Sequence, residues 1–372
     1  MLSRKRLWSH CYLVLTLSSS RHTMETFAIM KTTLKEIAEE AGVNVSTASR
    51  ALSGTYGVRK QTRERVLSAA KRLNYRPNLM ARGLVTGKSH TIGLVVSDIR
   101  NPYFAEVARG AEDAAFAASF DVILCNSDLN PTKQLQYVRS LLEKNVEGIL
   151  MNSVAALTAE QRAELGNCGV PVVLLNKPAG KHPFSTVVGD NYQGGWQAGE
   201  YLVGFGHRNI VHITGHRSHG NFAERCRGFL DAVGSAETPV NVQVMHGEHS
   251  YRGGYEIART LFAQHPEVTA IFAANDVMAF GVVRAAAEMG KAIPGDISLI
   301  GFENLEISAL IHPPLTTIDQ PKYEIGQAAV ESLLRQARAS GPWIPEQRVF
   351  SATLVERESC RRLGAPNVSQ FG

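Results

Sequence analysis

Apolar residues recur at helical spacing from residue 34 onward. Leu34, Ile37, Ala38 and Ala41 stand at positions i, i+3, i+4 and i+7, which form one face of a helix. Gly42 follows them, and glycine readily adopts the left-handed backbone conformation that ends a helix. The pattern predicts a short first helix that ends at Gly42.

A second short helix is predicted over residues 45–52, with Asn44 as its N-cap. About three residues would join it to the first helix, and this is the connection of a helix-turn-helix. Small side chains are available where the two helices would cross, at Ala38, Ala48 and Ala51. The pattern alone leaves a purely structural pair of helices open as the alternative.

Two further helices are predicted before the pattern changes. The third covers residues 60–73, and its core face is formed by Val66, Leu67, Ala70 and Leu73. Pro77 cannot continue that helix, and Asn78 can cap a fourth over residues 79–85. A helix this short is not stable alone, so we expect it to fold only when it is braced.

After residue 90, short apolar strands alternate with amphipathic helices. The first series has strands at 92–96, 122–125, 148–151 and 172–175, and helices near 104–118, 133–143 and 159–168. The second series has strands at 210–214, 242–245, 270–274 and 298–302, and helices near 194–203, 222–232, 254–264 and 277–288. Such alternation is typical of parallel sheets with crossover helices. Two similar halves predict an α/β fold of two doubly wound subdomains facing a cleft, where a ligand binds beyond the strand ends.

The net charge of +5 is unevenly distributed. Residues 31–82 hold eleven basic and four acidic side chains, whereas the chain after residue 82 holds 24 basic and 29 acidic ones. A small basic module indicates a polyanion-binding surface, because lysine and arginine near phosphates release counterions. A solvated helical face is the alternative on charge alone. Combined with the helix-turn-helix, the charge predicts DNA binding, and the second helix would present Val45, Ser46, Thr47, Ser49 and Arg50 to the major groove.

The composition excludes several classes of protein. With 372 residues, 44% of them hydrophobic and 20% charged, it can bury a sizeable core, and no stretch approaches the ~20 apolar residues of a membrane span. Its cysteines are odd in number and widely spaced, which indicates neither a disulfide framework nor a zinc site: Cys11, Cys125, Cys168, Cys226 and Cys360. We therefore expect a cytoplasmic protein that binds no membrane.

The chain resembles the LacI/GalR family of bacterial transcriptional repressors over essentially everything after Met30. The resemblance rests on residues 34–52 (LKEIAEEAGVNVSTASRAL), 75–78 (YRPN), 81–84 (ARGL), 91–94 (TIGL) and 354–359 (LVERES). It implies a helix-turn-helix followed by a periplasmic-binding-protein-like clamp, and a hinge helix that folds on operator DNA and inserts Leu84 into the minor groove. Asn78 and Arg82 of that segment are the other expected DNA contacts. Arg59 departs from the family, which usually has a serine or similar cap there.

The resemblance and the patterns together divide the chain. We expect a disordered extension or a mis-assigned start over residues 1–30, with Met1, Met24 and Met30 as candidate starts. A DNA-binding domain over 31–76, a hinge and linker over 77–89, an effector domain over 90–360 and a tail over 361–372 would follow. The effector domain would comprise an N-subdomain (90–188 and 321–345) and a C-subdomain (189–320 and 346–360). The chain would cross between them near Val188, Gln320 and Pro345.

Polar residues at the strand ends are the candidates for the ligand pocket: Asp98, Asn101, Asn176, Asn275, Asp276, Glu303 and Gln320. Amide and carboxylate groups suit vicinal hydroxyls, so a sugar or polyol is the expected ligand. The resemblance adds Phe104 as a ring-stacking wall and Arg225 as an effector contact. Asn101 and Asp276 have an alternative as helix N-caps.

Departures from the family pattern narrow the chemical class of the expected ligand. Glu303 stands where many members have aspartate, His249 stands where an aromatic is frequent, and Lys177 follows Asn176. Lys177 and His249, together with Arg225 and His219, would make the cleft cationic and favour a sugar acid or phosphorylated sugar. Alternatively, Lys177 points to solvent.

Enzyme and metal functions are not indicated. The chain has no phosphate-binding glycine loop, H-E-x-x-H or G-x-S-x-G motif. Four histidines lie close in sequence: His207, His212, His216 and His219. Successive side chains of a strand, such as those of His212 and Ile213, point to opposite faces, so we expect no metal site here. We expect no cofactor either.

The sequence therefore predicts a DNA-binding regulator of a carbohydrate or sugar-acid utilisation operon, controlled by a small-molecule effector. It would act as a homodimer, with the tetramer left open. The alternative is an exported solute-binding protein, which would share the clamp but has no use for the basic module.

Overall fold

The computed structural model describes residues 32–54, 56–75, 88–153, 157–176, 182–215, 220–339, 341 and 343–364. The expectations for residues 1–30, for the hinge residues Asn78, Arg82 and Leu84, and for Lys177, His216 and His219 lie outside these ranges. The chain divides into two units, Met1–Leu79 and Met80–Gly372.

The first unit contains three helices, α1 (Leu34–Glu40), α2 (Val45–Leu52) and α3 (Lys60–Arg72). Thr33 and Glu36 form a reciprocal capping box at the start of α1. Gly42 has a φ of +62°, as expected for a residue that ends α1 in the left-handed region. The Asn44 side chain accepts a hydrogen bond of 2.8 Å from the Thr47 amide and so caps α2. These caps produce the predicted helix-turn-helix.

Alanines dominate the core of the first unit. Its buried residues are Ile37, Ala38, Ala41, Ala48, Ala51, Val66, Ala69 and Ala70. The assignment of Leu67 to this core is wrong, because its side chain is 49% exposed. The inward face of α3 runs through Val66, Ala69, Ala70 and Leu73, and this spacing leaves Leu67 one position outside it.

The second unit contains two six-stranded sheets. The strands of the first sheet are β1 (Thr91–Val96), β2 (Asp121–Asn126), β3 (Ile149–Met151), β4 (Val172–Leu174), β5 (Ser185–Gly189) and β11 (Gln347–Phe350), in the spatial order β11-β5-β4-β3-β1-β2. The strands of the second are β6 (Asn209–Thr214), β7 (Asn241–His246), β8 (Ala270–Ala273), β9 (Ser298–Glu303), β10 (Thr316–Asp319) and β12 (Thr353–Val355), in the order β12-β10-β9-β8-β6-β7. Only the β10–β12 pair is antiparallel among the described strands. This is the doubly wound α/β clamp that the alternation predicted.

The helices of the second unit are α4 (Pro102–Ala117), α5 (Pro131–Glu143), α6 (Ala159–Gly166), α7 (Asn191–Gly204), α8 (Gly220–Gly234), α9 (Tyr251–Gln264), α10 (Asp276–Glu288) and α11 (Lys322–Ala337), with a short 3-10 helix at Glu306–Ala309. Helix α11 follows the second sheet in the chain but packs on the first, against α4. The chain therefore returns to the first subdomain before it reaches β11.

The described strands place the third crossing later than expected. The strand β11 pairs with β5 in the first sheet through Phe350, and β12 starts at Thr353 in the second sheet. The expected crossing near Pro345 is therefore wrong by about six residues. The other two passages, between β5 and α7 and between β10 and α11, lie close to Val188 and Gln320.

Candidate functional site

The exposed face of α2 carries the residues expected to read DNA. Val45, Ser46, Ser49 and Arg50 are exposed, and Thr47 is half-buried. The Nε atom of Arg50 donates a hydrogen bond of 3.3 Å to the Ser46 carbonyl. This contact leaves the other guanidinium nitrogens for a base edge or a phosphate, since arginine has five N–H donors. The helix thus presents short polar groups around one forked donor.

A cleft lies where the carboxyl ends of both sheets meet. It encloses a cavity of about 70 Å³, and one water molecule needs roughly 10 to 15 Å³ by the same measure. The cavity is lined by eight of the residues that the sequence selected: Asp98, Asn101, Phe104, Asn176, Arg225, His249, Asn275 and Glu303. In this conformation the cavity therefore has room for a few water molecules or a compact ligand.

Asn101 holds the two sides of the cleft together. Its Oδ1 atom accepts a hydrogen bond of 3.0 Å from the Tyr103 amide, so it caps α4. Its Nδ2 atom donates a hydrogen bond of 3.1 Å to Oε2 of Glu303, at the end of β9 in the other subdomain. Asn101 therefore fills both roles that the sequence left open, and it bridges the subdomains directly.

Arg225 lies almost completely buried behind the cleft. Its Nε atom donates to Oδ1 of Asn191 at 2.8 Å, and its Nη1 atom donates to the Ala274 carbonyl at 2.5 Å. The same Nη1 atom is 3.8 Å from Oε1 of Glu303, and the guanidinium lies 3.8 Å from the centroid of the Phe302 ring. Burial lowers the pKa of Arg225, while the neighbouring Glu303 opposes that shift. Most of this guanidinium is held by the protein, and its charge faces a carboxyl group.

Glu303 is the most unusual residue of the cleft. Its φ of +109° lies in a region that favours glycine, and such backbone strain is found mainly at functional sites. Burial raises the pKa of Glu303 to about 7, although the positive charge of Arg225 opposes the shift. Tyr103, also buried, has its pKa raised by burial and by the charge of Glu303. Near neutral pH, the Glu303 carboxyl group can therefore act as either a hydrogen-bond donor or an acceptor.

Two of the expected pocket residues point into the protein instead of the cavity. The carboxylate of Asp276 accepts hydrogen bonds from the Thr317 hydroxyl at 2.6 Å, the Ser308 hydroxyl at 2.7 Å and the Leu305 amide at 2.8 Å. Asn275, and not Asp276, caps α10, through a 2.8 Å hydrogen bond from the Met278 amide. Asp276 is therefore neither a wall of the cavity nor a helix cap.

Gln320 also lies outside the cavity wall. It is buried, and its Nε2 atom is 3.5 Å from Oδ1 of Asn191, which in turn holds Arg225. Its amide therefore supports the side chains behind the cleft. Its assignment as a wall of the cavity is not supported by this position.

Asp98 and Asn176 line the cavity but are already engaged. Arg100 forms a bidentate ion pair with Asp98, with nitrogen–oxygen distances of 2.8 to 3.1 Å. The Asn176 side chain pairs with the backbone of Ser153, accepting at 2.7 Å and donating at 3.1 Å. These contacts fix the loops after β1 and β4, so a ligand would meet residues held in place before it arrives.

The sequence missed half of the cavity wall. The additional lining residues are Ser97, Tyr103, Leu129, Asn152, Ser153, Gly220, Asn221 and Phe222. Ser97 and Asn152 directly follow β1 and β3, so the strand-end rule that selected Asp98 could have found them. Phe222 had no such signal, since it lies on α8 and is placed by tertiary packing. Its ring stacks on His249 with centroids 4.1 Å apart, and Gly215 leaves the space that the His249 ring needs.

The described lining residues do not make the cleft strongly cationic. They comprise one arginine, one histidine and two acidic residues, and Lys177 and His219 lie outside the described ranges. A preference for anionic ligands stays a prediction that these charges do not support.

His207 and His212, two further histidines of the second unit, have structural partners. His207 contacts the Thr269 hydroxyl at 3.0 Å and the Arg361 carbonyl at 3.2 Å. His212 donates to the Phe272 carbonyl at 2.9 Å and stacks on its ring. Burial lowers the pKa of both histidines to about 4. Among the described residues, no cluster of three or more His, Cys, Asp or Glu side chains could hold a metal ion, and no helix could span a membrane.

Two family profiles match the chain. Residues 33–78 match "Bacterial regulatory proteins, lacI family", and residues 89–350 match "Periplasmic binding proteins and sugar binding domain of LacI family". Catabolite control protein A of Priestia megaterium is 36% identical over 308 residues, covering 82% of this chain and 92% of the relative. The transcriptional repressor PurR of Photobacterium profundum is 34% identical, covering 89% and 99% of the two chains.

Solved structures are similar over most of the chain. The Lac repressor dimer bound to operator and the anti-inducer ONPF has a TM-score of 0.80 at 26% identity, covering 89% of this chain and 99% of that one. The complex of the transcriptional regulator CelR with cellobiose has a TM-score of 0.67 at 28% identity, with coverages of 88% and 100%. A ribose-bound regulator from Enterococcus faecium has a TM-score of 0.66 at 31% identity, covering 73% and 99%.

These relatives are regulators and not enzymes, and the match over residues 33–78 does not favour an exported solute-binding protein. The chain belongs to the LacI family of bacterial regulatory proteins, and it is a DNA-binding transcriptional repressor with a separate ligand-binding domain.

Proposed function

We propose that this repressor acts as a homodimer on a pseudo-palindromic operator of a carbohydrate or sugar-acid utilisation operon. Its affinity for the operator would be set by a small polyhydroxylated ligand in the cleft. The observation that carries the proposal is the wall of the cavity, where amides and carboxyl groups from both subdomains surround a small space between aromatic rings. Similar proteins bind cellobiose and ribose, which agrees with this ligand class.

The chemistry of the wall fits hydroxyl groups. Asn152 and Asn275 both line the cavity, and the Asn275 amide nitrogen remains for a ligand because only its oxygen caps α10. Glu303 and Asp98 supply oxygens that accept from sugar hydroxyls. Phe104, Phe222 and His249 offer ring faces for the apolar side of a sugar. Arg225 and Glu303 together balance their charges, so a neutral sugar is accommodated without an unpaired charge.

The ligand class is tested by a thermal-shift panel of sugars, sugar acids and sugar phosphates on the full-length protein. A true ligand at about 100 times its Kd adds ~2.7 kcal/mol of stability. Asn275→Asp keeps the capping oxygen but removes the amide donor, so we expect it to weaken binding about tenfold or more. Asn167→Asp makes the same substitution at the exposed end of α6, so it is the matched control and leaves binding unchanged. Binding that is equal in Asn275→Asp and the parent would place the ligand elsewhere, as would unchanged binding in Arg225→Ala variants that remain folded.

We propose that Val45, Ser46 and Arg50 read base edges, with Thr47 and Ser49 beside them. Arg50→Ala is expected to cost ~1 to 3 kcal/mol on the cognate operator and much less on random DNA. Fluorescence anisotropy with both DNAs at one salt concentration measures the two losses. An equal loss on both DNAs would make Arg50 a phosphate contact.

Asn78, Arg82 and Leu84 remain proposed hinge contacts, carried by the resemblance. We expect Leu84→Ala to weaken operator binding and to reduce DNA bending in a gel-phasing assay, with ligand affinity unchanged, because a leucine inserted between base steps kinks the duplex. Unchanged bending would contradict the hinge assignment.

A further inference from the structure

Lys322 contacts the backbone of Glu303 from the opposite subdomain. It is the first residue of α11, the helix that packs on the first sheet, and its ammonium group reaches the turn that follows β9 in the second sheet. The Nζ atom donates hydrogen bonds to the Glu303 carbonyl at 2.6 Å and to the Asn304 carbonyl at 3.3 Å. Because the Lys322 side chain is only 13% exposed, its ammonium group is directed at this turn and not at solvent.

The turn that Lys322 contacts has a strained backbone. Both of its residues have a positive φ, +109° for Glu303 and +48° for Asn304. In residues other than glycine, such a backbone persists only where the surrounding contacts hold it. The Asn304 side chain supplies two of these contacts, since it accepts from Arg357 at 2.7 Å and donates to Asp319 at 3.0 Å. Lys322 supplies the contacts to the two carbonyl oxygens, so its ammonium group helps to hold Glu303 in this conformation.

Lys322 also belongs to a crossing between the subdomains. Its Nζ atom donates to the Gln320 carbonyl at 3.1 Å and to Oδ1 of Asp319 at 3.2 Å. Its amide donates to the same Gln320 carbonyl at 2.8 Å, and Pro321 between them has a φ of −74° and a ψ of 77°, which is an inverse γ-turn. Opening of a clamp changes the backbone torsions of the segments that connect its halves. Such a change at this crossing moves the ammonium group that contacts the Glu303 turn.

Asn101 holds the other end of the same glutamate. Its Nδ2 atom donates to Oε2 of Glu303, whereas Lys322 donates to the Glu303 carbonyl. Asn101 caps the start of α4, and Lys322 starts α11. These two helices pack closely, since a Cβ atom on Gly110 of α4 would lie 2.0 Å from the Tyr323 carbonyl oxygen of α11. The starts of one closely packed helix pair therefore hold both the side chain and the backbone of Glu303.

We propose that Lys322 is a positioning residue of the cleft, whose ammonium group holds the Glu303 turn and so keeps the Glu303 carboxyl group in the cavity wall. When the crossing changes its torsions, the ammonium group moves with it and releases the turn. Opening of the clamp and the orientation of the Glu303 carboxyl group are therefore coupled through Lys322. The consequence for a ligand rests on the proposed function of the cleft, whereas the effect on the turn does not.

Amide hydrogen exchange of the ligand-free, full-length protein tests the hold on the turn. The Asn304 and Leu305 amides donate to the Thr317 hydroxyl and the Asp276 carboxylate, so they report whether the turn is formed. Lys322→Met keeps most of the apolar stem but removes the ammonium group, and we expect these two amides to exchange about tenfold faster or more. Unchanged exchange in this variant overturns the proposal.

Three further variants separate the contacts of Lys322. Lys144→Met makes the same substitution at an exposed lysine after α5 and should leave the turn unchanged. Asp319→Asn removes the ion pair but keeps an oxygen for the ammonium group, so its turn should exchange as in the parent protein. Lys322→Gln is too short to reach the Glu303 carbonyl, so it should match Lys322→Met, and it replaces that variant if the methionine form does not fold. Acceleration in Asp319→Asn equal to that in Lys322→Met assigns the effect to the ion pair and overturns the proposal.

The titration of Glu303 is a second readout, which a purely structural role of Lys322 at the start of α11 would not change. Burial raises the pKa of Glu303 to about 7, and the charged groups that face it are Arg225 of α8, Asp276 of α10 and Lys322 itself. A carboxyl group that leaves the cavity wall loses this burial, so in Lys322→Met we expect its pKa to fall by about one pH unit or more, toward the ordinary value of 4.5. The loss of a nearby positive charge alone would raise the pKa of Glu303 instead.

This titration is measured by ¹³C NMR on protein labelled at its glutamate carboxyl carbons, with the Glu303 signal assigned by its absence in Glu303→Gln. Lys144→Met should titrate like the parent protein. Both readouts use ligand-free protein, so a thermal-shift panel that finds no ligand contradicts the proposed function of the cleft and leaves the role of Lys322 standing. A pKa of Glu303 that is unchanged or raised in Lys322→Met overturns that role.

Discussion

The side chain of Glu303 takes part in several electrostatic interactions of the cleft. It receives the hydrogen bond of Asn101 from the opposite subdomain, faces the buried Arg225 and has its pKa raised to about 7. Its carboxyl group thereby joins the two subdomains, so the contact between them and the protonation of Glu303 are linked.

This linkage predicts a pH-dependent stability. The pKa of Glu303 is higher in the folded protein than in the unfolded chain, so the folded state binds more protons and this contribution declines as pH rises from about 4.5 to about 7. His207 and His212, whose pKa values are lowered to about 4, act with the opposite sign and lower stability as pH falls from about 6.5. Between about pH 6 and 7.5 the two contributions overlap and oppose each other, so the contribution of Glu303 is measured by comparing a variant with the parent protein.

Glu303→Gln should show a steeper rise of Tm with pH between about 6 and 7.5 than the parent protein, because glutamine can still accept from Asn101 but does not titrate, so nothing offsets the rise that the two histidines contribute. Scanning calorimetry across this interval measures it. Glu306→Gln, at an exposed position three residues later, is the control and should keep the slope of the parent protein. A slope in Glu303→Gln that equals the slope of the parent protein would contradict the assignment of this titration to Glu303.

Single residues also show what the sequence could and could not tell. The strand-end rule placed Asp98, Asn101 and Glu303 at the cleft because parallel strands of one sheet end at the same edge. The same rule failed for Asp276, since its carboxylate turns toward Ser308 and Thr317. Those partners lie 32 and 41 residues away in the chain, so no local sequence pattern indicates these two contacts.

At the scale of elements, glycines determine how closely the helices approach. A Cβ atom on Gly228 of α8 would lie 2.0 Å from the Tyr192 carbonyl oxygen of α7, and one on Gly195 of α7 would lie 2.1 Å from the Arg225 carbonyl oxygen of α8. The α4–α11 pair has the same arrangement at Gly110 and Gly326. Because α8 carries Arg225, the close α7–α8 approach also sets the position of the guanidinium behind the cleft.

Gly228→Ala should lower the Tm and destabilise the second unit by roughly 1 to 3 kcal/mol, because the added methyl group meets backbone and forces the helices apart. Gly234→Ala is the matched control at the other end of the same helix, where a Cβ atom has open space. There the higher helix propensity of alanine should stabilise the protein by up to about 1 kcal/mol. Calorimetry that ranks the two variants in the reverse order would contradict the close-approach argument.

Arg59 gives a second prediction for an element. It occupies the N-cap of α3 and makes no capping hydrogen bond with its side chain. Arg59→Ser should supply that bond and stabilise the helix by ~1 kcal/mol, which slows amide hydrogen exchange in its first turns. Arg65→Ser, at an exposed position inside α3, removes the same charge without a cap and should not slow exchange. Equal protection in both variants would point to charge and not to capping.

The helices and the central strands were predictable because their periodicity is local. The edge strand β12 and the β5–β11 pair were not, because the side chains of β11 are mostly exposed, those of β12 are exposed or half-buried, and both strands pair only with distant segments. Because β11 keeps the chain in the first sheet through Phe350, the third crossing was placed too early. Leu67 was misplaced for a smaller reason, since a shift of one residue moves a helical position by about 100°.

At the scale of the whole molecule, the proposed function requires the two units to be coupled. The first unit carries the basic helix-turn-helix, and the second carries the ligand cleft. A ligand can change operator affinity only as far as it binds the two functional states with different affinity. Such coupling between two sites is reciprocal, because both routes around the binding cycle have the same free energy.

Reciprocity gives the final prediction. The experiment uses the ligand that the thermal-shift panel identifies. Saturating operator DNA should change the Kd of this ligand by the same factor by which saturating ligand changes the Kd of the operator. A factor of about 5 to 150 is typical of allosteric proteins. Calorimetric titration of the ligand with and without operator measures one factor, and anisotropy of labelled operator with and without ligand measures the other. Random DNA of equal length and salt concentration is the control, and it should change the ligand Kd much less. If saturating ligand leaves the operator Kd unchanged, the cleft binds a molecule that does not regulate this repressor, because a ligand without differential affinity for the two states shifts neither equilibrium.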